Sequence, residues 1–151
     1  LGILASVAIP RLAATREDAE ISAAVANLRT LVNDATAYYT AKGEFGNNTK
    51  WSEITNVPLK DAATTNAVGN TATAHLTVGG KDCIGVQLQD KATQGTTTTP
   101  AHILITKASG ATGVCSQVVE AGPVKAYLDA TGVTGKTGSI AIGSSTSVYK
   151  K

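Results

Sequence analysis

Residues 21–42 read ISAAVANLRTLVNDATAYYTAK, and the fold turns on how they are read. Apolar side chains recur at Ile21, Val25, Leu28, Val32, Ala35 and Tyr39, in alternating steps of four and three. That spacing draws one stripe along one side of an α-helix. Glu17, Asp18, Glu20, Arg29 and Asp34 fall mostly off it. Lys42 in a last turn followed by Gly43 supplies the stop. The stripe therefore predicts a helix lying on something apolar.

Downstream of residue 42 the composition shifts to Gly, Thr and Asn, with short apolar alternations. Ile84-Gly85-Val86-Gln87-Leu88-Gln89 alternates as a half-buried strand does, and His75-Leu76-Thr77-Val78 does the same. Gly79-Gly80 reads as the turn between them. Ile103-Leu104-Ile105 is a more fully apolar strand. Val124 to Leu128, Ser139 to Ile142 and Ser147 to Tyr149 are weaker strand candidates. These segments predict an α+β protein: a long N-terminal helix packed against an antiparallel sheet with one apolar face. Ile21, Val25, Leu28, Val32 and Tyr39 are expected to meet Val86, Leu88, Ile103 and Ile105. The connection from Glu44 to Thr73 is polar, with Trp51 and Val57-Pro58-Leu59 as its anchors. Thr96 to Thr99 is of low complexity and is expected to be an exposed loop.

Upstream, Leu1 to Pro10 read LGILASVAIP, ten residues without a charge. If residues 1–42 are all helical, the element is roughly 60 Å long at about 1.5 Å per residue. A domain of this size cannot bury such a helix along its length. The expected division is residues 1–20 as a projecting helical half and 21–151 as a globular head. Ten apolar residues reach about 15 Å as a helix, half of a ~30 Å hydrocarbon core, so the stretch as written does not span a membrane.

Composition excludes other classes. The net charge is +2 with Lys and Arg scattered, unlike a nucleic-acid surface whose basic residues gather on one face. Cys83 and Cys115 are too few for a disulfide scaffold and too far apart in sequence for a paired-thiolate metal site. One disulfide in an exported chain and two buried thiols in a cytosolic one both fit them. Ala130-Thr131-Gly132-Val133-Thr134-Gly135-Lys136-Thr137 meets a relaxed phosphate-loop pattern, but such a loop needs a helix after it. The strand-like Ser139 to Ile142 follows instead, so a β-turn is expected. His75 and His102 head strands with no ligand cluster at metal spacing, and both read as polar-face residues. Aromatic residues make up only 4% of the chain, too few for dense base stacking. No catalytic residue, cofactor or metal is expected.

Gly2-Ile3-Leu4-Ala5, then Ala8-Ile9-Pro10 and a long amphipathic helix, resembles the second half of the N-terminal segment of type IV pilins. The pseudopilins of type II secretion share that segment. The motif covers about ten residues. The order of long helix, variable connection, antiparallel sheet and late cysteine pair resembles the family over the whole length. In that family the mature chain begins about a dozen residues earlier, with an N-methylated aromatic residue and a nearby glutamate, neither of which this sequence contains. The resemblance implies a filament subunit that polymerises through Leu1, Gly2, Ile3, Leu4, Val7, Ile9 and Pro10. Its implied partners are copies of itself in a helical filament, other pilins, the assembly machinery and, before assembly, the bacterial inner membrane. Its implied location is then the extracellular surface, with adhesion, twitching motility or DNA uptake as the function.

An exported subunit meets an oxidising compartment, and pilins commonly carry a late disulfide. On that basis Cys83 and Cys115 are expected to be bonded, both at one edge of the sheet. Two alternatives belong to the same family. A type II secretion pseudopilin is one; its major subtype is disfavoured because residues 130–151 contain no Asp or Glu for an acidic calcium loop, and a minor pseudopilin stays open. A DNA-binding minor pilin would rest on Lys136, Lys150 and Lys151 alone, so no nucleic acid is expected. Pro10 cannot bond the Ser6 carbonyl and Gly2 weakens the same region, so a bend is expected near Ser6 to Pro10 in the isolated subunit, and the resemblance implies local unwinding of Gly2 to Pro10 in a filament.

Overall fold

The structure is a computed structural model. It describes residues 2–69 and 73–142, with side chains from residue 16 onward. The chain is α+β. Helix α1 (Gly2–Lys42) comes first, then the short α2 (Trp51–Ile54). Strands β1 (Ala74–Val78), β2 (Lys81–Gln89), β3 (Ala92–Gln94), β4 (Thr97–Thr99) and β5 (His102–Lys107) follow. Helices α3 (Val114–Glu120) and α4 (Gly122–Leu128) and strand β6 (Ser139–Ala141) complete it.

The backbone of α1 stays helical through Pro10. The side chains of Gly2 to Pro10, which include the bend expected near Ser6 to Pro10, lie outside the described residues, as do Leu1 and the strand candidate Ser147 to Tyr149. The helix ends where Gly43, at φ 80°, takes a left-handed conformation and donates its N–H to the Tyr39 carbonyl.

The main sheet runs β1-β2-β5-β6, antiparallel throughout. β1 and β2 are joined by the Gly79-Gly80 turn, both residues at positive φ as a type I′ hairpin requires. Register sets Ala74 opposite Val86 and Val86 opposite Ile105, while Leu88 faces Ile103 and Ile103 faces Ile140. Directly opposed residues share a face, so these rows form one apolar surface, on which Val86, Leu88, Ile103 and Ile105 are buried. At the far edge Ile105 donates its N–H to the Gly138 carbonyl. A Cβ at Gly138 would run into the carbonyl of Ile105, so this close approach needs glycine.

Three helices share the cover of that surface, which the sequence assigned to α1 alone. α1 lies against β1, α3 against β2, and α4 against β5 and β6. The reason is width. Four strands at about 4.8 Å spacing outspan one helix of about 10 Å diameter. Val124 to Leu128 is accordingly helix α4 rather than a strand, started by Gly122-Pro123 with Pro in the first turn. Thr96 to Thr99 is not a plain loop either. Thr97–Thr99 is strand β4, paired with β3 in a separate two-stranded ribbon whose residues are mostly exposed.

The 44–73 connection carries more of the core than its polarity suggests. Phe45, Trp51, Ile54, Val57, Leu59 and Ala67 are buried. Phe45 is flanked by Tyr38 and Tyr39, with ring centroids 6.5 and 5.1 Å away. The Asp90 carboxylate accepts the N–H groups of Phe45 and Gly46 at 2.7 and 2.9 Å, fixing the start of the connection to the end of β2. Thr55 donates its hydroxyl to Asp34 of α1 at 2.6 Å.

Candidate functional site

Two features bear on what the chain does: the N-terminal half of α1, and the disulfide that closes the head. Among the described residues of α1, Ala24, Leu28, Leu31, Val32 and Ala35 are buried. Ile21, Val25, Tyr38 and Tyr39 are half-buried against the same core. Ala24, Leu28, Leu31 and Ala35 form a second four-three-four ladder beside the Ile21-Val25-Leu28-Val32 one, so the seated face is the strip between the two ladders. The sequence reading missed Ala24 and Leu31, although their spacing was there to find.

Before Ala24 the picture changes. Arg16, Glu17, Asp18 and Ala19 are exposed, and Arg16 pairs with Glu20 along the surface at 3.7 Å. No side chain from residue 16 to residue 23 is fully buried. The helix backbone extends roughly 30 Å ahead of Ala24, the first buried residue among those whose side chains are described. Leu1 to Pro10, the segment read as the assembly helix, belongs to that stretch of sequence. Among the described residues no helix is long and apolar enough to cross a membrane.

Cys83 and Cys115 form a disulfide, with their Cα atoms 4.9 Å apart. The expected position at one sheet edge needs correction. Cys83 sits in β2, an interior strand, and Cys115 lies in the first turn of α3. The bond fastens a helix onto the face of the sheet. α3 went unread because its seven residues make only two turns, too short for a periodic signal.

Residues 130–137 form a turn, with Lys136 donating its N–H to the Val133 carbonyl, and β6 follows them. The buried Ser139 hydroxyl donates to the Lys136 carbonyl and accepts the Val133 N–H, holding the turn closed. Among the described residues no three of His, Cys, Asp and Glu gather closely enough to hold a metal ion.

His75 is half-buried on β1, and His102 lies opposite Gln89, on the face of the sheet away from the Leu88–Ile103 row, as expected, but it is only 2% exposed. Its Nδ1 lies 2.9 Å from the Pro100 carbonyl oxygen, which can only accept, so Nδ1 carries the proton. Nε2 is buried without a partner among the described residues. Burial holds the imidazole below its ordinary value of 6.5, and the charge of Lys136 acts the same way, while the Pro100 hydrogen bond opposes them. The folded chain thus resists a proton that the unfolded chain accepts. Stability from this residue is complete above the unfolded value and is lost as the pH falls below about 6.5. The unfolding free energy should drop on acidification through that range, and His102→Gln should flatten that part of the profile. Urea titrations at several pH values check this; parallel profiles for the two proteins would contradict it.

Searches of protein-family models, of curated proteins and of solved structures each find no match for this chain.

Proposed function

We propose that the chain is a structural subunit of a type IV pilin-like filament, polymerised through the N-terminal half of α1. One observation carries this reading: α1 is helical from Gly2, yet no described side chain ahead of Ala24 is buried by the head. The sequence of that N-terminal half begins apolar on every side, from Leu1 to Pro10. A helix apolar all round needs apolar surroundings on all sides. Lipid provides them before assembly, and the same helix of neighbouring copies provides them in a filament core. The fold supports the reading with a long helix seated by its second half on an antiparallel sheet, and a disulfide suited to an oxidising exterior. The role is architectural rather than catalytic, with identical copies, other pilins and the inner membrane as partners.

Antibodies against the head should decorate surface filaments on the source cells by immunogold electron microscopy. Deleting the gene should remove those filaments or change their number. Antigen confined to the cell interior, with filaments unaffected by the deletion, would overturn the proposal.

A further inference from the structure

The β3–β4 ribbon has no evident structural purpose of its own. Ala92, Thr93, Gln94, Thr97 and Thr98 are exposed, and a two-stranded ribbon without an apolar face gains little stability from its own packing. Its register, Ala92 opposite Thr99 and Gln94 opposite Thr97, sets those four residues on one face. That face walls a cleft of about 470 Å³, within the range of about 300–1,000 Å³ usual for small-ligand sites. Thr93 and Thr98 occupy the other face, their hydroxyls 3.2 Å apart. The opposite wall comes from Gln89 and Asp90 at the end of β2, His102 at the head of β5, and Lys136 on the turn before β6. The stretch from Gln89 to His102 and the turn carrying Lys136 thus enclose one polar cleft.

The chemistry of the wall narrows the ligand. His102 supplies a proton-free Nε2 that finds no donor among the described residues, and a buried acceptor without a partner is costly to leave so. A hydroxyl group can supply that donor once the ribbon gives way slightly. The hydroxyls of Thr97 and Thr99 and the amide of Gln94 both donate and accept, while Lys136 only donates. An anion would meet the Asp90 carboxylate and the Nε2 lone pair, and a cation would meet Lys136. Among the described residues no Phe, Tyr or Trp lines the cleft to stack a nucleobase. We propose that the cleft between the β3–β4 ribbon and the end of the main sheet binds a neutral saccharide of one or two units. The sugar's hydroxyls would bridge Gln94 and Thr97 of the ribbon to His102 of the sheet. This does not depend on the filament reading, since the cleft lies wholly within the head.

The test is a nuclear magnetic resonance titration of the isotope-labelled chain. The probes are glucose, galactose, mannose, N-acetylglucosamine, lactose and maltose, with sialic acid, inorganic phosphate and adenosine monophosphate as contrasts. At least one neutral sugar should give saturable shifts confined to residues 89–102 and 133–137, and should move the His102 ring nitrogens. Gln94→Ala should weaken that binding about tenfold, the effect of one lost hydrogen bond, without changing the melting temperature because Gln94 is exposed. No saturable shift with any neutral sugar would overturn the proposal. So would shifts that persist unchanged in Gln94→Ala, or tighter binding of phosphate, sialic acid or the nucleotide.

Discussion

Replacing Cys83 and Cys115 together by alanine should lower the unfolding free energy by roughly 3.5–4 kcal/mol. The bond closes a loop with a sequence separation of 32, and cross-linking that length removes about this much chain entropy from the unfolded state. The loop it closes holds the exposed β3–β4 ribbon, which contributes little packing of its own. The bond also secures α3. A seven-residue helix is unstable in isolation, so α3 persists through the burial of Cys115, Val118 and Val119 and through this link to β2. Against a typical total of about 5–15 kcal/mol, the loss is a large share. Urea titration of the double variant beside the oxidised chain measures it, and hydrogen exchange should show α3 amides losing protection first. A loss under about 1 kcal/mol would mean that packing alone holds α3.

The α+β class was legible in the sequence because its largest elements bury one face each. α1 seats a single strip on the head, and one-sided burial produces the four-three periodicity seen from Ile21 to Tyr39. β1 and β2 alternate for the same reason. The elements that were misread or missed are short. In α4, Val124 and Leu128 stand four apart, a pattern that five residues cannot separate from a strand; the informative signal was Gly122-Pro123, which opens a helix. β4 is a run of threonines with no pattern, and only its pairing with β3 makes it a strand. The burial of His102 was invisible for a different reason. It results from where β5 and the chain around Pro100 lie in the fold, which is tertiary information. The same holds for the cleft, whose wall joins residues from 89 to 136 that share no motif. Features written locally could be read, and those made by convergence of distant segments could not.

The seat of α1 on the head makes the second large prediction. Leu28 is 1% exposed and lies where the two ladders of buried residues cross, beside Ala24, Leu31 and Val32. Truncating it removes the transfer free energy of its side chain and leaves a void that helix, sheet and connection cannot all relax into. Leu28→Ala should therefore cost about 2–5 kcal/mol, and the equally buried Leu31→Ala should fall in the same range. Arg29, one residue on, is turned about 100° around the helix and is exposed. Arg29→Ala should change stability by no more than about 0.5 kcal/mol in either direction. The contrast tests the face directly, because the two positions share a helix and differ by only one step around it. In the filament reading this seat is also the joint that carries load from the polymer core to the head. Leu28→Ala filaments should then shed or unfold heads under denaturant concentrations that Arg29→Ala filaments withstand. Equal urea midpoints for the two variants would mean that α1 is held by another face, and both the seat and the joint would be misassigned.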